Sequence, residues 1–280
     1  MSGRKRVAFL GPEGTFTEEA LLASPEADQL EPVPEPTVYE CVMAVHAREV
    51  DQAVVPIENS LEGSVNATLD ALVFETEEVT IIGEQVHPIQ HCLIARGPLQ
   101  LAEIERVVSH PQANAQCARF IRTRLPNARV TSANSTADAV RLVADSEEPW
   151  AALGNRLSAQ LYGCQILEAG VEDVAENETR FVWLARERPA SSGGGAWKTS
   201  VVFWGLPDSP GALLSVLQEF ADRNVNLSKI ESRPLKQRLG RYIFFADLEG
   251  EQSDAAVQAA LDAVRAKVET LRILGSYPAA

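Results

Sequence analysis

The spacing of apolar and polar positions divides the 280-residue chain into two blocks with different rhythms. Up to about residue 185, short apolar runs alternate with amphipathic stretches of helical period. Runs at 6–10, 52–56, 79–83, 89–95, 107–109 and 150–153 predict strands. Stretches at 15–23, 38–48, 112–124 and 136–145, with a shorter turn at Ser158-Ala159, predict helices. Such alternation predicts an α/β architecture with largely parallel sheets and helices on both faces. From Lys198 the order changes. Strand 198–204, helix 211–223, strands 225–232 and 242–248, helix 253–267 and strand 268–274 read as βαββαβ, the ferredoxin-like order.

Between the blocks, residues 186–197 are rich in Pro, Ser and Gly and read as a flexible linker. Their triple glycine is not followed by Lys-Ser/Thr, so a phosphate loop is not expected. The first block, 5–185, is expected to form two lobes around a cleft: one from about 5–83 with 171–185, the other from about 86–168. The second block, 198–280, is expected to form its own domain, whose open sheet edge predicts pairing with another copy.

A formal net charge of −14 argues against non-specific nucleic-acid binding, which needs clustered Lys and Arg. It leaves an anionic small molecule open, because local Arg placement matters more than the total. Four widely spaced cysteines with no CxxC predict free thiols rather than a zinc or redox site. His87 and His91 are four apart with Pro88 between them, and no carboxylate is suitably spaced, so no metal is expected. No apolar run approaches the ~20 residues of a membrane helix. The apolar stretch near the start is too short for a signal peptide. A cytoplasmic protein without membrane contact is expected.

Chemistry is expected in the polar loops that follow the strands, where open α/β sheets bind ligands. GPEGTFT (11–17) turns into a helix with Thr15 as cap and Glu18 at capping-box spacing; it is not a GxGxxG fingerprint. VPIENSLEG (55–63) offers Glu58, Asn59 and Ser60. Turn chemistry and capping explain Ser and Asn, but explain Glu58 less well. SHPQANAQC (109–117) begins a helix at which His110 reads first as a cap. Ser135 and Thr136 stand at another helix start. DVAENETRF (173–181) ends in Asn177, Thr179, Arg180 and Phe181, where an Arg fork could hold a carboxylate. Each loop alone is explained by an edge residue, a cap or a solvated charge.

Together, in this order and spacing, these five stretches resemble the signatures of prephenate dehydratases over about residues 5–185. Gly211-Ala212-Leu213 and the run from Asn226 and Leu227 to Glu231-Ser232-Arg233-Pro234 resemble the phenylalanine-binding ACT domain of that family. The resemblance implies a two-lobed, periplasmic-binding-protein-like catalytic region with a C-terminal ACT domain. It implies decarboxylative dehydration of prephenate to phenylpyruvate without metal or organic cofactor, and feedback inhibition by L-phenylalanine in a homodimer or homotetramer.

It also places the essential hydroxyl at Thr179, with Arg180 beside it. Thr15, Glu58, Asn59, Ser60, Ser135, Thr136, Asn177 and Phe181 are implied to bind substrate. Because the ring carboxylate loses its charge as carbon dioxide, Arg180 is expected on the pyruvyl carboxylate, which keeps its charge. Gly211, Ala212, Leu213, Asn226, Leu227, Glu231, Ser232, Arg233 and Pro234 are implied to form the phenylalanine site. An arogenate dehydratase, a non-catalytic small-anion or amino-acid-binding protein, and a pure amino-acid sensor remain as alternatives.

Overall fold

The computed structural model describes residues 4–187, 195–236 and 240–280, so most of the expected linker lies outside the described residues. It runs β1 (Lys5–Leu10), α1 (Phe16–Leu22), β2 (Leu30–Glu35), α2 (Val38–His46), β3 (Gln52–Asn59), β4 (Gly63–Ser64), α3 (Asn66–Asp70) and β5 (Thr80–Pro88). Then come β6 (Cys92–Ala95), β7 (Arg106–Ser109), α4 (Pro111–Gln116), α5 (Ala118–Arg124), β8 (Arg129–Ser132) and α6 (Thr136–Ala144). The first block closes with β9 (Trp150–Gly154), α7 (Arg156–Leu161), β10 (Gln165–Ala169) and β11 (Glu178–Ala185). The second block is β12 (Trp197–Trp204), α8 (Ala212–Ala221), β13 (Leu227–Pro234), β14 (Tyr242–Glu249), α9 (Ala255–Arg265) and β15 (Thr270–Pro278).

These elements form two compact units, Met1–Thr68 with Val86–Phe181, and Leu69–Gln85 with Val182–Ala280. In the first, β1 pairs in parallel with β2 and β3, burying Val7, Ala8 and Phe9 completely. A second sheet has the order β10-β6-β9-β7-β8. Leu93, Val107 and Leu153 pack on one of its faces and Ile94, Val108 and Ala152 on the other, with helices covering both.

This sheet corrects the expectation of largely parallel pairing. β7 is parallel to β8 and β9, but β6 is antiparallel to β9 and β10. The helix expected over 112–124 is also broken, at Cys117, into α4 and α5. The Asp173 carboxylate accepts from the backbone N–H groups of Arg119 at 2.8 Å and Phe120 at 3.3 Å, so the new helix start is satisfied from outside.

The second unit contains the βαββαβ order, with neighbouring strands β13-β14-β12-β15 antiparallel. Its helices bury Val216, Phe220, Val257 and Leu261 against Val201, Phe203 and Leu248. β5 joins the same sheet in parallel beside β15 at Gly275 and Ile81. A Cβ on Gly275 would overlap the Ile81 carbonyl oxygen, so this approach requires glycine.

Candidate active site

β11 begins the site by simple alternation, since successive strand residues face opposite sides. Thr179 and Phe181 are buried and line a cavity of about 410 Å³ in the first unit. Arg180 between them takes the other side, its guanidinium 3.2 Å from the Glu58 carboxylate. Neither Arg180 nor Glu58 belongs to the cavity lining. The structure therefore does not bring the expected carboxylate clamp to the cavity.

The end of β3 supplies Asn59. Its side-chain oxygen accepts from the backbone N–H groups of Leu61 at 3.0 Å and Glu62 at 3.1 Å. Only the oxygen of a carboxamide can accept, so the NH₂ end must face the other way. That nitrogen donates to Asn177 Oδ1 at 2.8 Å and to Thr179 Oγ1 at 2.9 Å. A further contact at 3.1 Å to the Glu178 carbonyl shares its two hydrogens. Thr179 Oγ1 is thus an acceptor in this network, and its own proton is left for a partner in the cavity.

Asn177 is 1% exposed and lies behind this wall. Its NH₂ donates to Gln116 Oε1 at 3.1 Å. Ser60 is exposed and joins the two loops: its hydroxyl accepts from the Glu178 N–H at 3.0 Å, and its own N–H donates to the Glu178 carbonyl at 2.9 Å. Asn177 and Ser60 therefore hold the wall without lining it.

Helix starts complete the cavity. Thr15 caps α1: its hydroxyl accepts from Glu18 N at 3.4 Å and donates to the Leu10 carbonyl at 2.8 Å. Glu18 reaches back to the Gly14 N–H, one residue before the cap. Ser135 caps α6 through Asp138 N at 2.9 Å, with Thr136 beside it. His110 caps α4 by accepting from Gln112 N at 3.3 Å. Thr15, Ser135, Thr136 and His110 all line the cavity, so the positive ends of helix dipoles face it.

None of the residues lining the cavity is Asp, Glu, Lys or Arg. Sequence reasoning did not single out Gln112, Gln116, His91 or Asn134, which also line it. The i, i+4 spacing of Gln112 and Gln116 at one helix start was the available signal. Among the described residues, no group of three or more His, Cys, Asp or Glu could hold a metal ion.

The residues expected to bind phenylalanine fall in two places in the second unit. Gly211 caps α8 with φ +85°, a conformation suited to glycine. Ala212 and Leu213 line a 690 Å³ cavity with Leu206, Tyr242 and Phe244. Glu231, Ser232, Arg233 and Pro234 lie instead along β13, the last strand of that sheet. Leu227 opens that strand and packs on the core, while Asn226 just before it bonds Glu249 at 2.8 Å. Glu231 pairs with Lys229 at 3.6 Å, and Arg233 with Asp70 at 3.0 Å.

Comparison with known proteins adds two family models and three similar proteins. A family model described as prephenate dehydratase matches residues 7–189, and one described as ACT domain matches residues 199–266. A prephenate dehydratase of Mycobacteroides abscessus is 39% identical over 280 residues, covering 98% of this chain and 90% of that protein. The structure of a prephenate dehydratase from Arthrobacter aurescens in complex with L-Phe matches with TM-score 0.89 and 40% identity, over 98% of this chain and 90% of that one. A structure described as GqqA, a novel type of quorum quenching acylase, matches with TM-score 0.86 and 31% identity, over 99% and 98%.

Proposed function

The chain belongs to the prephenate dehydratase family, and we propose that it converts prephenate to phenylpyruvate with Thr179 as hydrogen-bond donor to the departing hydroxyl. Prephenate dianion plus one proton gives phenylpyruvate, carbon dioxide and water. The carbon–carbon bond to the ring carboxylate breaks, its electron pair completes the aromatic ring, and the ring hydroxyl leaves as water.

The observation that carries the reading is Thr179 Oγ1, held as an acceptor by Asn59 in a cavity lined by no Asp, Glu, Lys or Arg. A hydroxyl held in that sense keeps its proton free to donate toward the substrate, the requirement for a group acting on a leaving oxygen. The uncharged lining suits the decarboxylation. A cation on the ring carboxylate would stabilise the ground state more than the transition state, where that charge is dispersing. Carboxamides and helix starts at Ser135-Thr136 and Thr15 hold the dianion more evenly. Phe181 supplies an apolar wall to the ring. Arg180 pairs with Glu58, and the two fix the end of β11 against β3.

The likeness to an L-Phe complex and the ACT match support feedback inhibition by L-phenylalanine through the second unit. The open edge at β13 favours a homodimer or larger even assembly. An acylase reading needs a base within reach of a hydroxyl nucleophile. The hydroxyls of Thr15, Ser135 and Thr179 instead bond the Leu10 carbonyl, Asp138 N and Asn59.

The test is ultraviolet detection of phenylpyruvate from prephenate, with L-phenylalanine as effector, and separate chromatographic detection of phenylalanine released from arogenate. Turnover of prephenate that falls on adding L-phenylalanine is expected. Turnover of arogenate alone, or of neither, overturns the reading.

A further inference from the structure

His91 has no part in the chemistry above, yet it is 2% exposed and reaches the cavity wall. Its backbone N–H donates to Glu172 at 2.8 Å, and its ring meets Phe16 edge to face with centroids 5.3 Å apart. Its Nε2 lies 3.1 Å from Gln116 Oε1.

Main-chain groups settle the direction of that contact. The N–H groups of Leu61 and Glu62 fix the oxygen of Asn59, so its NH₂ faces Asn177. Asn177 then accepts with its oxygen and presents its own NH₂ to Gln116. The Gln116 atom at that point must be its oxygen. Its nitrogen is at the other end, 3.2 Å from the Glu62 carboxylate, which accepts. His91 therefore meets an oxygen, and its Nε2 carries the proton.

The other ring nitrogen, Nδ1, is buried without a hydrogen-bond partner, and a proton placed there would find no acceptor. Burial accordingly pushes the imidazole below its ordinary pKa, opposed in part by the bond to Gln116 and the charge of Glu172. The ring is a neutral donor of fixed tautomer.

We infer that His91 is a positioning residue for the dehydration: with Asn177 it pins Gln116 Oε1 from two directions, turning the Gln116 NH₂ outward. One amide hydrogen goes to Glu62, and the second serves as a donor to an oxygen of the substrate dianion. This assignment rests on the dehydratase reading. Removing the His91 donor leaves the Gln116 oxygen held by Asn177 alone, so the amide plane can rotate and an oriented donor is lost although Gln116 itself remains.

A double-mutant cycle tests it, with kcat/KM for prephenate as readout. His91→Leu should lower kcat/KM about 10- to 100-fold, as befits a buried acceptor deprived of a partner. His91→Gln, which keeps an N–H at comparable reach, should restore most of that loss. In a Gln116→Met background, His91→Leu should cost nothing further. If His91→Leu does not fold, His91→Met, equally without a donor, replaces it. A loss of the same size in both backgrounds overturns the inference, as does His91→Gln no better than His91→Leu. In either case a wild type that turns over prephenate leaves the dehydratase reading standing. A wild type that releases no phenylpyruvate overturns both.

Discussion

Around the cavity of the first unit, the polar side chains are carboxamides, hydroxyls and imidazoles, and their hydrogen bonds run in one enforced sense from Leu61 and Glu62 through Asn59 to Thr179 and Gln116. In the second unit, the segment 69–85 is held by charges. Asp70 takes Arg233 at 3.0 Å and Lys236 at 2.6 Å, while Glu84, its side chain 2% exposed, takes Lys198 at 2.6 Å. Arg272 donates to the carbonyls of Val73 at 2.6 Å and Thr76 at 3.0 Å, at the end of a π-helical turn. Neutral groups give direction without favouring a charged ground state. Ion pairs hold elements in place but carry little direction, and suit a region whose work is support and regulation.

Reversing one bond in the neutral network should have the largest effect. Asn59→Asp replaces the donor to Thr179 with an acceptor, so the Thr179 proton turns away from the cavity. A fall in kcat of about 100-fold or more is expected by steady-state kinetics with prephenate. Near-wild-type kcat would show that the sense of the network is immaterial. In the second unit, Gly275→Ala forces a methyl onto the Ile81 backbone and should destabilise by about 2–3 kcal/mol in denaturant unfolding.

Asp70→Ala removes the partner of Arg233 and Lys236 and should cost about 1–2 kcal/mol by the same measurement. A change within 0.3 kcal/mol, on the order of ordinary surface scatter, would mean that these charges hold nothing. The smallest effect is a slope. His91 has a lowered pKa in the folded protein, so its stabilising contribution is present above the ordinary imidazole value near 6.5 and is lost as pH falls below it. The thermal midpoint of His91→Gln should therefore drop less than that of wild type between pH 7 and pH 5.

What the sequence disclosed follows the same physics. Buried strands such as β1, β3, β7 and β9 announced themselves as apolar runs. Of the four strands that did not, β2, β8 and β10 lie at the end of a sheet order, and β4 is a two-residue pairing with β3. β2 carries Pro32 and Pro34, tolerated where one side of a strand needs no partner. β8 is largely exposed, so its residues carry no apolar signal.

The strand-end loops of the site were legible as motifs. Residues 178–181 read as a motif before a strand rather than as part of one, which hid the alternation that turns Arg180 away from Thr179 and Phe181. His91 was not legible as a site residue, and the spacing of Gln112 and Gln116 gave Gln116 no role, because those roles depend on contacts 25 and 61 positions away in the chain.

The most direct test of the account is kcat for prephenate at saturation in Thr179→Ser and Thr179→Val. Serine keeps a hydroxyl that Asn59 can hold and should stay within about tenfold of wild type. Valine keeps the shape without the proton and should lose about 100-fold or more. A valine variant within a few-fold of wild type would contradict the assignment of Thr179 as hydrogen-bond donor to the departing hydroxyl.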